Sequence, residues 1–191
     1  MVSLLSLWLP ILLVTLACFI ASSVIWMASP MHKHDYKDPG DKEGPIRDML
    51  RAQSLQPGVY YVPWCAGAKA KDPEAQARMK AGPWAMLTVI PGAPNMGTML
   101  GAWAGHLLIV SVLVAYIASV SRGPGAGFAG VFQVTTTAAL LAHAGYAMPM
   151  CIWHGQPWSQ LPGRLVDGVI YAVITGAIFG ALWPAAATVT G

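Results

Sequence analysis

Four long apolar stretches and one polar insert set the pattern of this chain. Ser3 to Ala28 is apolar throughout, and at 1.5 Å per residue it exceeds the roughly 30 Å hydrocarbon core of a bilayer. Residues 97–120, 127–150 and 166–187 repeat the pattern, whereas residues 29–96 hold most of the polar side chains. The pattern predicts an all-α polytopic membrane protein of four transmembrane helices, with a small α+β extramembrane insert between helices one and two. It divides the chain into a first helix at 1–28, the insert at 29–96 and a three-helix region at 97–191.

A cleaved signal peptide is the rival reading of the first stretch. No Lys or Arg precedes the apolar run, and the run is longer than an h-region of about 7–15 residues, so a membrane helix is expected. Leu16-Ala17-Cys18 resembles a lipoprotein cleavage site only weakly for the same lack of a basic start. Thr15, Cys18 and Ser22 share one helical face and suit a packing seam.

The insert has its own order. Pro45 at a first helical position opens IRDMLRAQ, where Ile46, Met49 and Leu50 give the spacing of a short amphipathic helix. Gly58 to Val62 reads as a strand. Asp72 as N-cap and Pro73 at N1 start a second helix closed by Gly82, and Trp84 to Ile90 is a second strand ended by Pro91-Gly92-Ala93-Pro94. So small a unit buries little apolar surface and is expected to rest on the membrane or on a partner.

Small residues recur at spacings of four in two of the apolar stretches. Gly97, Gly101 and Gly105 line one face of the second helix, and Gly168, Ala172, Gly176 and Gly180 line one face of the fourth. Such ladders let backbones approach closely. Helices two and four are therefore expected to pack tightly, with each other or with another subunit. The third stretch contains Thr135, Thr136, Thr137 and His143, which need partners within the bundle, and Pro149 ends it. Trp153 and Trp158 in the following connection suit the membrane interface.

Charge sharpens the topology. Only 10% of the residues are charged, and nine of eleven Lys and Arg and seven of eight Asp and Glu lie between His32 and Lys80. The insert and the loop after helix three carry ten of the basic residues, and the opposite side has only Arg122. The positive-inside rule then places the insert in the cytoplasm and both termini outside. A net charge of +3, mixed in sign within the insert, argues against nucleic-acid binding. Cys18, Cys65 and Cys151 have neither CxxC nor zinc spacing.

Candidate chemistry is confined to one membrane side. His32 and His34 follow helix one, and Met148, Met150, Cys151 and His154 close helix three. His106 and His143 lie roughly 10–14 Å below that side and could face each other. Imidazole, thioether and thiolate together suit copper, and paired neutral imidazoles also bind zinc or haem. No GxSxG, P-loop or HExxH motif occurs. Asp167 reads as a helix-start charge or as an i, i+3 partner of Arg164, so transport by ion coupling has few handles.

The order H-x-x-DY, Pro57-Gly58-Val59-Tyr60-Tyr61-Val62-Pro63-Trp64-Cys65, Asp72-Pro73, then Gly82 to Pro91 and Met96-Gly97 resembles a family of uncharacterised bacterial membrane proteins. The tail from Asp167-Gly168-Val169-Ile170-Tyr171-Ala172 to Phe179-Gly180-Ala181-Leu182-Trp183-Pro184 is similar too. The resemblance implies architecture and a bacterial inner membrane, and supplies no catalytic residues. Where that family has Ser-Ile-Trp-Tyr, this chain has Cys151-Ile152-Trp153-His154.

The combined expectation is a non-enzymatic accessory or structural subunit without a cofactor, embedded in the lipid bilayer and packed against other membrane-protein subunits or copies of itself. A copper or haem-binding protein is the alternative, and a small transporter the third reading.

Overall fold

The structure, a computed structural model, describes residues 1–67 and 71–186. Residue 187, the expected end of the fourth helix, lies outside the described residues. In chain order the elements are α1 (Trp8–Ala28), α2 (Glu43–Gln53), β1 (Gly58–Val62), α3 (Pro73–Ala81), β2 (Ala85–Val89), α4 (Met96–Ser121), α5 (Phe128–Ala144), α6 (Ala147–Trp153) and α7 (Leu161–Ala181). They form two units. One comprises Met1–Asp35, Asn95–Cys151 and Gln156–Gly191, and the other Tyr36–Pro94 with Ile152–Gly155.

Among the described residues of the first unit, three helical stretches are long and apolar enough to cross a membrane: Leu4–Ala28, Met96–Ser121 and Trp158–Ala181. The expected third span, 127–150, is interrupted. It comprises the 17-residue α5 and, after Gly145 and Tyr146, the 7-residue α6. Pro149 explains the break, because it has no N–H for the Gly145 carbonyl and its ring would clash with that carbonyl in a continuous helix. It is tolerated as the third residue of α6, where no intrahelical donor is needed. At about 25 Å, α5 falls short of the hydrocarbon core of about 30 Å. The fourth helix also differs from expectation, starting at Leu161 instead of 166 and ending at Ala181. Pro162 fits its first turn, and the chain leaves the helix ahead of Pro184.

The four long helices run alternately up and down. Val2 N donates to Ser119 O, joining the start of α1 to the end of α4, and Gly125 N donates to Pro184 O, joining the turn before α5 to the segment after α7. α1 packs on α4 and α7, and α5 packs on the same two helices, so α4 and α7 lie diagonally across the bundle. The core between them is apolar, with Leu7, Val14, Leu107, Val114, Val131, Ala139, Ala172 and Phe179 buried. The outer faces are equally apolar: Leu12, Leu16, Ile109, Leu113 and Val173 are exposed. A helix apolar all round suits lipid, and between lipid and core there is little hydrophobic gain, so close packing and polar seams hold the bundle.

Close packing is strongest between α5 and α7. A Cβ at Gly168 would stand 2.7 Å from the Ala144 Cβ, and one at Gly180 would stand 2.8 Å from the Phe128 ring. At Gly176 it would collide with Thr136 Oγ1 and Phe132. The small-residue ladder of the fourth helix thus receives α5, where the spacing predicts helix two or another subunit. A polar seam joins α1 to the other helices: Trp103 Nε1 donates to Ser22 Oγ at 2.9 Å, and Cys18 Sγ donates to Tyr171 O at 3.8 Å.

The second unit contains the predicted insert elements. β1 and β2 pair antiparallel with Tyr60 opposite Leu87 and Val62 opposite Ala85. The α3 start is as expected from Asp72-Pro73, with Glu74 N donating to Asp72 Oδ1 at 3.1 Å, and Gly82 closes the helix at φ +66°. α2 begins two residues earlier than expected, which leaves Pro45 as its third residue, still ahead of the first required donor. Among the described residues of Tyr36–Pro94, Ala75 is the buried apolar side chain, so this unit has almost no core of its own.

Candidate functional site

At the α1 C-terminal end of the bundle the helices line a half-open cavity of about 760 Å³. Its wall combines apolar side chains, such as Leu100, Ala142 and Met150, with His106, His143, Tyr171, Arg164 and Asp167. Every lining residue belongs to the helical unit.

The cavity floor is a run of touching rings from three helices. Trp103 and His106, three residues apart on α4, stack with centroids 5.3 Å apart. The His106 ring stands 6.1 Å from His143 of α5 at an interplanar angle of 78°. Tyr171 of α7 completes the set, 5.4 Å from His143 and 6.2 Å from Trp103. The 3.6-residue period places Trp103 and His106 on one face, and the crossing helices bring His143 and Tyr171 to the same depth. Among the described residues, neither His106 nor His143 is hydrogen-bonded through its ring nitrogens, which leaves both imidazoles available to an occupant.

Beside the cavity lies a buried ionic network. His32 Nδ1 is 2.8 Å from Asp35 Oδ2, and His32 Nε2 is 3.2 Å from Asp167 Oδ1 and 3.1 Å from Asp167 Oδ2. The His32 side chain is 3% exposed. Its ring stacks on Trp26 with centroids 4.0 Å apart and planes within 1°. Burial disfavours the imidazolium, but the hydrogen bonds to Asp35 and Asp167 and their negative charges outweigh it, so the His32 pKa lies above its ordinary value. Gln160 donates from Nε2 to the Asp35 carbonyl and accepts from Arg164 Nη2 at 3.0 Å. Arg164 Nε is buried without a hydrogen-bond partner.

These contacts correct two expectations. Asp167 engages His32, and Arg164 turns to Gln160, so the i, i+3 pair does not form. Because α7 starts at Leu161, Asp167 sits in its second turn as a buried carboxylate, and acidic groups are present inside the bundle after all. The signal in the sequence was a lone Asp in an apolar helix, which calls for a partner inside the protein.

The other expected ligands disperse. His34 and Met148 are exposed, Met150 lines the cavity, and the buried Cys151 thiol points to the Pro157 carbonyl at 3.9 Å. His154 belongs to the second unit. Among the described residues no group of three His, Cys, Asp or Glu side chains is arranged to hold a metal ion. On α4, a Cβ at Gly101 or Gly105 would meet nothing within 4 Å, and at Gly97 only the Asn95 side chain.

No protein-family model, no curated protein and no solved structure matches the chain.

Proposed function

We propose that the protein is a non-enzymatic integral subunit of a bacterial inner-membrane assembly, docking through the glycine face of α4 on a helix of another subunit or of a second copy. The observation that carries this reading is the unequal use of two similar ladders. Gly168, Gly176 and Gly180 are filled by α5, whereas the space over Gly101 and Gly105 is open. Both glycines lie on a different face from Leu107, Val110 and Val114, which α4 turns to the core. An open small-residue face in lipid is a surface on which a second backbone gains close van der Waals contact. The resemblance to bacterial membrane proteins supports the inner membrane, and the ten basic residues on the insert side support an insert in the cytoplasm with both termini outside.

The test is the native mass after extraction in a mild detergent. The parent protein is expected as an oligomer or complex, and Gly101→Leu and Gly105→Leu are expected to reduce it to the folded single chain. A parent that is itself a lone monomer, or one whose assembly survives both substitutions, overturns the reading.

A further inference from the structure

We infer that the half-open cavity at the α1 C-terminal end of the bundle binds an acyl-chain amphiphile with an acidic head, its carboxylate or phosphate at Arg164 and its chain along the apolar wall. This inference is independent of the α4 docking face, because Leu100, Trp103 and His106 line the cavity and Gly101 and Gly105 do not. Its first support is the state of Arg164. Among the described residues the guanidinium donates one hydrogen bond, from Nη2 to the neutral Gln160 side chain at 3.0 Å, and its Nε is buried without a partner. Asp167 lines the same cavity, but its carboxyl group is held by His32. A guanidinium inside an apolar bundle is stabilised when an anion reaches it, and carboxylates and phosphates match its planar fork.

The second support is the order of polar and apolar groups along the cavity. Arg164 lies in the first turn of α7, which begins at Leu161, and Tyr171 follows seven residues, or about 10 Å, further along the helix. The cation therefore stands at the helix start, and the floor of touching rings lies deeper in the bundle. An amphiphile has the same order, with its head at the interface and its chain inward. The chain would lie over the rings, against Leu100, Ala142 and Met150. At about 760 Å³ the cavity falls within the roughly 300–1,000 Å³ of small-molecule sites. A small free anion would leave the apolar wall unfilled, and an uncharged lipid would bring no counter-charge to Arg164.

The third support is the side on which the cavity opens. Its lining residues Leu100 and His106 on α4, and Ala142 and Tyr146 at the end of α5 and the break after it, are exposed. Ser22 of α1 and Asp167 and Tyr171 of α7 line the opposite wall and are buried. The opening thus lies between α4 and the interruption of the third apolar stretch, where α5 gives way to α6. This side faces lipid in a bundle whose outer faces are apolar, so an acyl chain enters from the leaflet without crossing water. Basic pockets between membrane helices hold acidic lipid head groups in the same way.

The experiment uses full-length protein, delipidated in detergent and titrated with radiolabelled oleate and, separately, with radiolabelled phosphatidylglycerol. Oleyl alcohol and phosphatidylcholine are the uncharged-head and zwitterionic counterparts. The parent is expected to bind at least one of the acidic probes to a one-to-one limit, and more tightly than its counterpart. Tighter binding of oleate identifies a carboxylate head, and tighter binding of phosphatidylglycerol a phosphate head. Arg164→Gln is expected to weaken the acidic probe about tenfold, the loss of one hydrogen bond to a charged group, and to leave the counterpart unchanged. Ala142→Trp fills the opening while keeping Arg164, and is expected to abolish one-to-one uptake with the parent's elution position and helicity retained. If Arg164→Gln does not fold, Ala142→Trp decides, and undiminished uptake in it overturns the inference. The inference also falls if neither acidic probe reaches a one-to-one limit, if the counterparts bind as tightly, or if acetate or inorganic phosphate displaces the probe at equal concentration.

Discussion

His32 and Asp167, 135 residues apart in the chain, meet with His32 Nε2 3.1 Å from Asp167 Oδ2. The contact ties the segment that leaves α1 to the second turn of α7, and Asp35 holds the opposite nitrogen of the same ring. A charged pair inside a membrane bundle persists only when each member satisfies the other. Here the His32 ring faces the carboxyl groups of Asp35 and Asp167, and Gln160 fixes the backbone of Asp35. The network thus braces the wall in which Arg164 and the ring cluster sit.

His32 therefore makes stability depend on pH. Its folded pKa is raised above the unfolded value of about 6.5, so the native state binds the proton more tightly. The resulting stabilisation is complete below the unfolded pKa and is lost as pH rises through the folded one. Thermal unfolding in detergent across neutral pH is expected to show this decline, and His32→Gln is expected to remove it. Asp167→Ala, which leaves the buried His32 short of a partner, is expected to cost about 3 kcal/mol.

Hydropathy and spacing made the membrane class readable, together with the end of α1, the limits of α4, the two insert strands and the Asp72-Pro73 helix start. Each depends on a local rule: an apolar run of sufficient length, an N-cap, a turn residue. The third stretch misled because its apolar content continues past Gly145, while Pro149 interrupts only the hydrogen-bond ladder. The depth of His106 and His143 followed from helical rise alone, and the structure brings the two rings together. The His32–Asp167 pair could not be read in the same way. It depends on which helices are neighbours, and a carboxylate three residues from an arginine offers a nearer partner in sequence than the one it takes in space.

The helix start at Asp72 is open to direct measurement. Its carboxylate accepts from Glu74 N at 3.1 Å in an exposed setting, so Asp72→Ala is expected to cost about 1 kcal/mol of local stability. Amide exchange in the full-length protein should speed up over Pro73–Ala81 and leave α4 and α7 unchanged. Equal change in all three helices would contradict a local cap.

The seam between α1 and α4 is expected to be pairwise. Trp103 Nε1 donates to Ser22 Oγ, which itself donates to the Phe19 carbonyl. Trp103→Phe and Ser22→Ala each remove this bond, at a net cost of about 1 kcal/mol apart from any change in packing. A double-mutant cycle on thermal unfolding should return a coupling energy of similar size, and a coupling near zero would show that the two side chains act separately.

The two glycine ladders should respond in opposite ways to the same substitution. Gly176 is closed by the Thr136 and Phe132 side chains, so Gly176→Ala must displace these and is expected to cost about 1–3 kcal/mol. Gly101 faces open space on α4, and Gly101→Ala is expected to leave the unfolding of the single chain within about 0.5 kcal/mol of the parent. Native mass should respond the other way. Gly176→Ala is expected to melt earlier while still assembling at low temperature, whereas Gly101→Leu is expected to fold normally and fail to assemble. If instead Gly101→Leu destabilises the isolated chain as much as Gly176→Ala, the α4 face is already filled from within, and the distinction between an internal and an external ladder is lost.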